Sequence, residues 1–228
     1  YQNQPDTNLV PSVIPSIREW YGKVGQSTIT NNSKIVIDPA NAGELGKLGD
    51  LLKMDIKETT GKDLKVVVGT PNSGDIFLTY TGGESRLGDE GYVFDVDDYI
   101  AIKATTETGA FYGTRTLLQI LRQDPEKSNV PKGIAMDYPK YKIRGLSLDV
   151  ARKFFPMSFL REYVKYMSFY KMNTFQIHLN DNGFRSIDKL DSNGVAVNPK
   201  EVITLPWEDT YSAFRLESNI PGLTATDG

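Results

Sequence analysis

The sequence contains no cysteine and a single histidine, His178, among its 228 residues. A disulfide, a thiolate nucleophile and a cysteine-ligated zinc site are therefore excluded. A serine-protease-like triad or a multi-histidine metal centre would have to be built around His178 alone. If the protein is an enzyme, these absences favour catalysis by carboxylate groups. We expect neither a metal nor a cofactor.

The chain also lacks a long apolar run and a strong excess of one charge. No segment approaches the roughly 20 apolar residues that span a bilayer, so no membrane span is expected. The net charge of −3 gives no indication of the clustered basic face that nucleic-acid binding requires. A mildly acidic chain with aromatic residues suits a neutral ligand such as a carbohydrate. Because the chain starts at Tyr1 rather than at Met, we expect a processed or engineered start, from which any signal peptide has been removed.

The first part of the chain is predicted to be an α/β domain. Residues 1–20 are rich in proline, asparagine and serine and are predicted to be an extended lead-in. Residues 21–136 contain short apolar strands, one of them at residues 91–96 with Tyr92, Phe94 and Val96 in alternation, and two amphipathic helices. The helices are predicted at residues 43–56, where Leu45, Leu48 and Leu52 are spaced at i, i+3 and i+7, and at residues 109–122. A single sheet with the helices packed on one face would bury these apolar positions. Residues 123–136 are predicted to be a polar connector.

The pattern changes in residues 137–228. Residues 145–150 form a nearly continuous apolar run, which predicts a strand buried on both faces. A helix is predicted at residues 158–170, with Phe159, Leu160, Tyr163, Val164 and Met167 directed inward, and a second strand at residues 174–179. Strand, helix and strand within about 35 residues predict a unit of a parallel sheet. No strong regular element is predicted after residue 179.

Polar side chains follow both of these predicted strands. Asp149 and Arg152 follow the first, and His178 and Asp181 the second. Because ligands bind at the carboxyl ends of parallel strands, Arg152 and Asp181 can face one cavity. An arginine fork donates to hydroxyls or a carboxylate, and an aspartate accepts from sugar hydroxyls or an amide. A structural ion pair between Arg152 and Asp181 is an equally open interpretation.

The other polar candidates favour structural interpretations. His178 lies on an alternating strand and is expected to be a hydrogen-bonded core histidine, and Asp149 is expected to be buried and to orient its neighbours. The adjacent carboxylates Asp89 and Glu90 fall in a glycine-flanked segment that predicts a solvated turn. Gly82 and Gly83 predict a turn as well, because no phosphate-loop lysine follows them.

Two segments of the second part resemble a known enzyme family. Arg144-Gly145-Leu146-Ser147-Leu148-Asp149-Val150-Ala151-Arg152-Lys153-Phe154-Phe155 is similar in letters and spacing to the opening of the catalytic barrel of family 20 glycoside hydrolases. Tyr170-Lys171-Met172-Asn173, followed by residues 174–181, resembles that family's next strand. Upstream, residues 107–119 resemble the end of the accessory domain that precedes the barrel. The resemblance implies an accessory α/β sandwich domain, then the first two strands of a (β/α)8 barrel that is incomplete in this chain.

The resemblance also implies a reaction and roles for particular residues. Family members remove terminal β-linked N-acetylhexosamine, or a disaccharide containing it, by substrate-assisted retaining hydrolysis. Arg152 corresponds to the arginine that binds the sugar ring, and Asp181 to an aspartate in the polar network around the catalytic acid; Asp149 and His178 would support them. Lys153 and Asn182 depart from the histidine and the second aspartate of the family pattern. The family's catalytic Asp-Glu pair is expected downstream of this chain, so no catalytic residue is assigned within it.

Two strands and one helix cannot close an eight-stranded barrel, so the rest of the barrel is expected to come from the parent polypeptide. We therefore expect the 228 residues alone to be inactive, and the parent protein to be a secreted or cell-surface bacterial enzyme whose partner is a glycan ending in β-linked N-acetylhexosamine. Two alternatives stay open: a non-catalytic carbohydrate-binding or scaffold module of a larger surface protein, and a catalytically dead member of the family.

Overall fold

The computed structural model describes residues 7–82, 85–151 and 155–179, together with the backbone of residues 185–190 and 196–203. The chain divides into two compact units, Tyr1–Lys142 with Ser168–Lys171, and Ile143–Met167 with Met172–Gly228. Among the described helices, none is both long and apolar enough to cross a membrane.

The first unit contains a seven-stranded mixed sheet. Its strands are β1 (Glu19–Thr28), β2 (Lys34–Ile37), β3 (Lys65–Val68), β4 (Ile76–Tyr80), β5 (Tyr92–Val96), β6 (Ile100–Ala104) and β7 (Asn129–Asp137). They lie in the order β1-β7-β5-β6-β4-β2-β3. The pairs among β6, β4, β2 and β3 are parallel, and those among β1, β7, β5 and β6 are antiparallel.

Two helices, α1 (Ala42–Thr60) and α2 (Glu107–Gln123), pack against this sheet and against each other. The leucines at positions 45, 48 and 52 that predicted α1 are all buried. Thr106 caps α2 by accepting a hydrogen bond from the backbone N–H of Gly109 at 3.1 Å, which explains why the helix begins two residues before its predicted start. The predicted α/β sheet domain is confirmed.

Two strands of this domain, β1 and β7, were not predicted. Strand β7 replaces the predicted connector at residues 123–136, and its Val130 and Ala135 are fully buried in the core. Pro131 argues against a strand, but it is tolerated because β7 pairs with β5 only from Gly133 onward. Strand β1 begins within the predicted lead-in, and an irregularity between Gly22 and Gln26 breaks the alternation by which a strand is recognised.

Close packing between α2 and the sheet depends on a glycine in the helix. A β-carbon at Gly113 would lie 2.4 Å from a methyl of Ile102 and 3.1 Å from the ring of Tyr92, whereas one at Gly46 in α1 would meet nothing within 4 Å. We therefore expect Gly113→Ala to lower the free energy of unfolding by about 1–3 kcal/mol through overpacking. Gly46→Ala, the matched control, is expected to raise it by about 0.5–1 kcal/mol. Urea unfolding of both variants checks this, and equal stabilities would contradict it.

The second unit contains β8 (Gly145–Asp149), α3 (Met157–Phe169, whose last two residues fall in the first unit) and β9 (Thr174–His178), followed by β10 (Arg185–Leu190) and β11 (Ala196–Ile203). Strands β8 and β9 form a two-stranded parallel sheet, and β10 and β11 an antiparallel pair. The predicted strand-helix-strand unit is confirmed. The expectation of no regular element after residue 179 is wrong, because β10 and β11 follow.

Burial in this second unit differs from the expectation. Leu146 in β8 is 37% exposed, so the prediction of a strand buried on both faces is wrong for this chain. On α3, only Met167 of the five predicted inward residues is buried, and Phe159 and Val164 are 40% and 48% exposed. The physical reason is that β8 has a single strand neighbour, β9, in the part of the chain that the structure describes.

Candidate functional site

The candidate site lies at the carboxyl ends of strands β8 and β9. The two strands pair in parallel register from Gly145 opposite Thr174 to Asp149 opposite His178. The backbone N–H of Val150 donates to the carbonyl oxygen of His178 at 3.1 Å and extends the pairing by one residue. The two strands therefore end side by side, which we call their level ending. The chain continues from the same edge of the sheet after both strands, and parallel α/β sheets bind ligands at this edge.

Asp149 shapes the backbone just before Arg152. Its Oδ1 accepts a hydrogen bond from the backbone N–H of Ala151 at 3.0 Å, which tightens the turn out of β8. Asp149 is only partly buried, not fully buried as predicted, but the contact with Ala151 agrees with a role in orienting its neighbours.

His178 is also only partly buried, so the prediction that this histidine is buried in the core is wrong. The reason is the same narrow sheet, since β9 pairs only with β8 within the described residues. The register nevertheless places His178 directly opposite Asp149. The structure thus brings together the two residues that were predicted to support the site.

Arg152 and Asp181, the predicted sugar-binding residues, lie outside the described residues, as do Lys153 and Asn182. Their roles remain predictions, and so does the alternative in which Arg152 and Asp181 form a structural ion pair.

A row of aromatic rings joins α3 to β9. Phe155 stacks on Phe159 with ring centroids 4.9 Å apart, Phe159 on Tyr163 at 5.7 Å, and Tyr163 contacts Phe175 of β9 at 5.4 Å. Aromatic pairs at these separations each contribute about 0.5–1.5 kcal/mol beyond the area they bury. The row therefore helps to fix β9, and with it His178, against the helix.

The expected solvated turn at Asp89 and Glu90 is present. Residues 85–90 form a turn in which Asp89 is exposed. Within the described part of the chain, no group of three or more His, Asp or Glu side chains could hold a metal ion.

One buried cluster of functional groups was missed by sequence reasoning. Lys171, which belongs to the first unit, donates from Nζ to the Tyr92 hydroxyl at 2.6 Å and to Asp137 Oδ2 at 3.0 Å. Tyr92 also donates to Asp137 Oδ2 at 2.6 Å and lies 2.5 Å from Thr116 Oγ1. Burial raises the pKa of the Tyr92 phenol well above its usual value, and the Asp137 carboxylate raises it further, so the phenol stays protonated at neutral pH.

No sequence pattern identifies these partners, because Tyr92, Asp137 and Lys171 are 34 or more residues apart. The available signal was the position of Lys171 itself. It is a charged residue between an amphipathic helix and an apolar strand, within the segment Tyr170-Lys171-Met172-Asn173 that carries part of the family resemblance.

Comparison with known families identifies both modules. Residues 10–138 match the description "Glycosyl hydrolase family 20, domain 2", and residues 141–192 match "Glycosyl hydrolase family 20, catalytic domain". The first match alone covers more than half of the chain. The chain therefore belongs to glycosyl hydrolase family 20, and its fold is that family's accessory domain followed by the start of its catalytic barrel.

Individual relatives agree with this assignment. The chain is 24% identical to a lacto-N-biosidase of Bifidobacterium bifidum over 96% of its own length and 21% of the relative's. It is 30% identical to a β-hexosaminidase of Porphyromonas gingivalis over 62% of its own length and 19% of that protein's. Among solved structures, it resembles the N-acetyl-β-hexosaminidase of Streptomyces plicatus with a TM-score of 0.67 and 29% identity, over 78% of this chain and 37% of that one. The chain thus spans about a fifth of the length of these two sequence relatives.

Proposed function

We propose that this chain is the N-terminal part of a glycoside hydrolase that removes a terminal β-linked N-acetylhexosamine, or a disaccharide containing it, from glycans. The observation that carries the proposal is the level ending of β8 and β9, with Asp149 opposite His178. Arg152 follows Asp149 by three residues and Asp181 follows His178 by three, so the two predicted sugar-binding residues lie at equal sequence distances from this pair.

Each residue has a separate part in this proposal. Arg152 donates its guanidinium N–H groups to ring hydroxyls of the terminal sugar, and Asp181 accepts hydrogen bonds in the polar network around the catalytic acid. Asp149 supports Arg152 through its hydrogen bond to the backbone of Ala151. His178 supports the same edge from β9.

The proposed reaction is retaining hydrolysis assisted by the substrate. The 2-acetamido oxygen of the sugar attacks the anomeric carbon in place of an enzyme nucleophile. A glutamate of the parent polypeptide protonates the leaving oxygen, and the aspartate before it orients the acetamido group. Water then attacks the anomeric carbon, the bond to the acetamido oxygen breaks, and the sugar is released with its original anomeric configuration. Support comes from the relatives, since the Streptomyces plicatus enzyme has been solved with N-acetylglucosamine as its product.

The function is tested in the parent polypeptide that contains the complete barrel. We expect hydrolysis of a nitrophenyl N-acetyl-β-glucosaminide, with retention at the anomeric carbon observed by proton NMR. A trifluoroacetamido analogue should react much more slowly, because its less nucleophilic oxygen weakens the assisted attack. Inversion, or equal rates for both substrates, would contradict the mechanism.

Three further outcomes distinguish the alternatives for this chain. The 228 residues by themselves are expected to give no turnover with the same substrate. If the complete polypeptide is also inactive while the first-unit segment Tyr1–Lys142 binds glycans in a glycan array, the chain is a binding or scaffold module instead. Release of a nitrophenyl lacto-N-bioside in preference to the monosaccharide substrate would assign disaccharide specificity.

We also propose that the parent protein is secreted or exposed at a bacterial cell surface. The proposed substrate, the terminus of a glycan, supports this location. Recovery of the protein in the cytoplasmic fraction of its source cells would argue against it.

A further inference from the structure

The segment Ser168–Lys171, which we call the anchor segment, consists of the last two residues of α3 and the two residues that follow them, and it folds with the first unit. Lys171 is only 5% exposed, and its backbone has a positive φ of 57°, which non-glycine residues rarely adopt. A lysine is seldom buried to this degree unless its ammonium group is paired. The burial of Lys171 therefore requires partners for its ammonium group.

The ammonium group of Lys171 is held on two sides. Asp137 supplies the opposite charge at 3.0 Å, and the Tyr92 hydroxyl accepts a second hydrogen bond at 2.6 Å. Asp137 is itself fixed, because its Oδ1 accepts from the backbone N–H of Arg18 at 3.3 Å. Because replacing a buried ion pair with apolar residues is often neutral or stabilising, net stability by itself does not account for this pair.

A second buried side chain holds the same segment through its backbone. Gln119 of α2 donates from Nε2 to the carbonyl oxygen of Phe169 at 2.9 Å and to that of Ile14 at 2.8 Å. The guanidinium of Arg122 lies 4.9 Å from the centre of the Phe169 ring. The anchor segment is therefore fixed at both ends, at Phe169 and at Lys171.

Strand β9 begins three residues after Lys171. Two residues after Lys171, the Asn173 side chain accepts from the backbone N–H of Arg144 at 2.9 Å, and the backbone N–H groups of Asn173 and Thr174 both donate to the Arg144 carbonyl oxygen. These bonds set the register of β8 with β9, which ends with Asp149 opposite His178.

We propose that Lys171 is a positioning residue for the sugar site: held by Asp137 and Tyr92, it fixes the turn from which β9 begins and so the level ending of β8 and β9. Its catalytic consequence rests on the proposed function. Its structural consequence, the protection of the β8 and β9 backbone, does not.

Hydrogen–deuterium exchange of the 228-residue chain tests the structural consequence. In Lys171→Met, we expect the amides of residues 146–150 and 174–178 to exchange at least about tenfold faster, while those of β5 and β6 are unchanged. Lys47→Met makes the same chemical change at an exposed position of α1 and should leave every segment as in the parent chain. Unchanged exchange in β8 and β9 would overturn the proposal.

A second variant covers the case in which Lys171→Met is simply unstable. Lys171→Met combined with Asp137→Asn removes both charges, and the asparagine amide can still accept from Arg18 and donate to Tyr92, so the melting temperature should recover. Positioning by Lys171 predicts that exchange in β8 and β9 stays fast in this double variant. Exchange that returns to the original rate together with the melting temperature would show that the cluster acts on stability alone.

The catalytic consequence is measured in the polypeptide with the complete barrel. The double variant is expected to lower kcat about tenfold at an unchanged melting temperature, because the sugar-binding side chains are misplaced rather than lost. An unchanged kcat would overturn the catalytic role of Lys171. If the original enzyme has no hydrolytic activity, the proposed function fails, while the exchange experiment still decides the role of the anchor segment.

Discussion

On the proposed function, replacing Arg152 with alanine in the polypeptide that contains the complete barrel is expected to lower kcat/KM by about two orders of magnitude. Hydrogen bonds from a charged donor each contribute about 1.5–3 kcal/mol, and a guanidinium fork can make two to neighbouring sugar hydroxyls. A total loss of about 3 kcal/mol corresponds to a rate decrease of about a hundredfold.

Two further variants make the test of Arg152 specific. Arg152→Lys keeps the charge but loses the planar fork, so only part of the activity should return. Arg161→Ala removes the same group from an exposed position on α3 and should leave kcat/KM unchanged. If Arg152→Ala lowers the melting temperature but leaves kcat/KM unaffected, Arg152 forms the structural ion pair with Asp181 instead of binding sugar.

The second large effect is expected at the contact between α1 and α2. Arg115 of α2 donates to Asp55 of α1 at 2.6 Å, with both side chains largely buried, and the guanidinium also lies 4.4 Å from the centre of the Phe111 ring. Burial lowers the pKa of the Arg115 guanidinium, and Asp55 counteracts this by favouring the charged form. Asp55→Ala would leave that charge buried without its carboxylate, and is expected to lower the free energy of unfolding by about 3–5 kcal/mol.

The Asp55 prediction has a matched control on the same helix. Asp50 is exposed, so Asp50→Ala is expected to change the free energy of unfolding by less than about 0.5 kcal/mol. Combining Asp55→Ala with Arg115→Met should recover much of the lost stability, because no buried charge remains. Urea unfolding measures all three variants, and a loss at Asp55 no larger than that at Asp50 would contradict the expectation.

These two arginines belong to different parts of the chain, Arg115 to the accessory domain and Arg152 to the proposed sugar site. Arg115 serves the accessory domain, where its charge is neutralised by Asp55 inside the α/β sandwich. Arg152 belongs to the barrel segment, three residues past the point where Asp149 and His178 pair. The accessory domain thus carries a structural ion pair, and the residues proposed to bind sugar follow β8 and β9 in the sequence.

Several features of this protein were determined by the sequence alone. The spacing of Leu45, Leu48 and Leu52 predicted α1, and the alternation of Tyr92, Phe94 and Val96 predicted β5. Both patterns follow the local periodicity of the element, and the structure buries all six side chains. The strand-helix-strand order of residues 145–178 was also predicted from the sequence. The resemblance at residues 144–155 and 170–181 led to the family that the comparisons confirm.

Only the tertiary structure decided the rest, and the reason is that non-local contacts override local pattern. Pro131 lies in β7 because the neighbouring strand begins to pair beyond it, and β1 is a strand despite its irregular alternation because β7 lies beside it. Burial of Met167 but not of Phe159 on α3 depends on which neighbours surround the helix. Lys171 joins Tyr92 and Asp137 across 79 and 34 residues, a meeting that no periodicity encodes and that the folded sheet alone brings about.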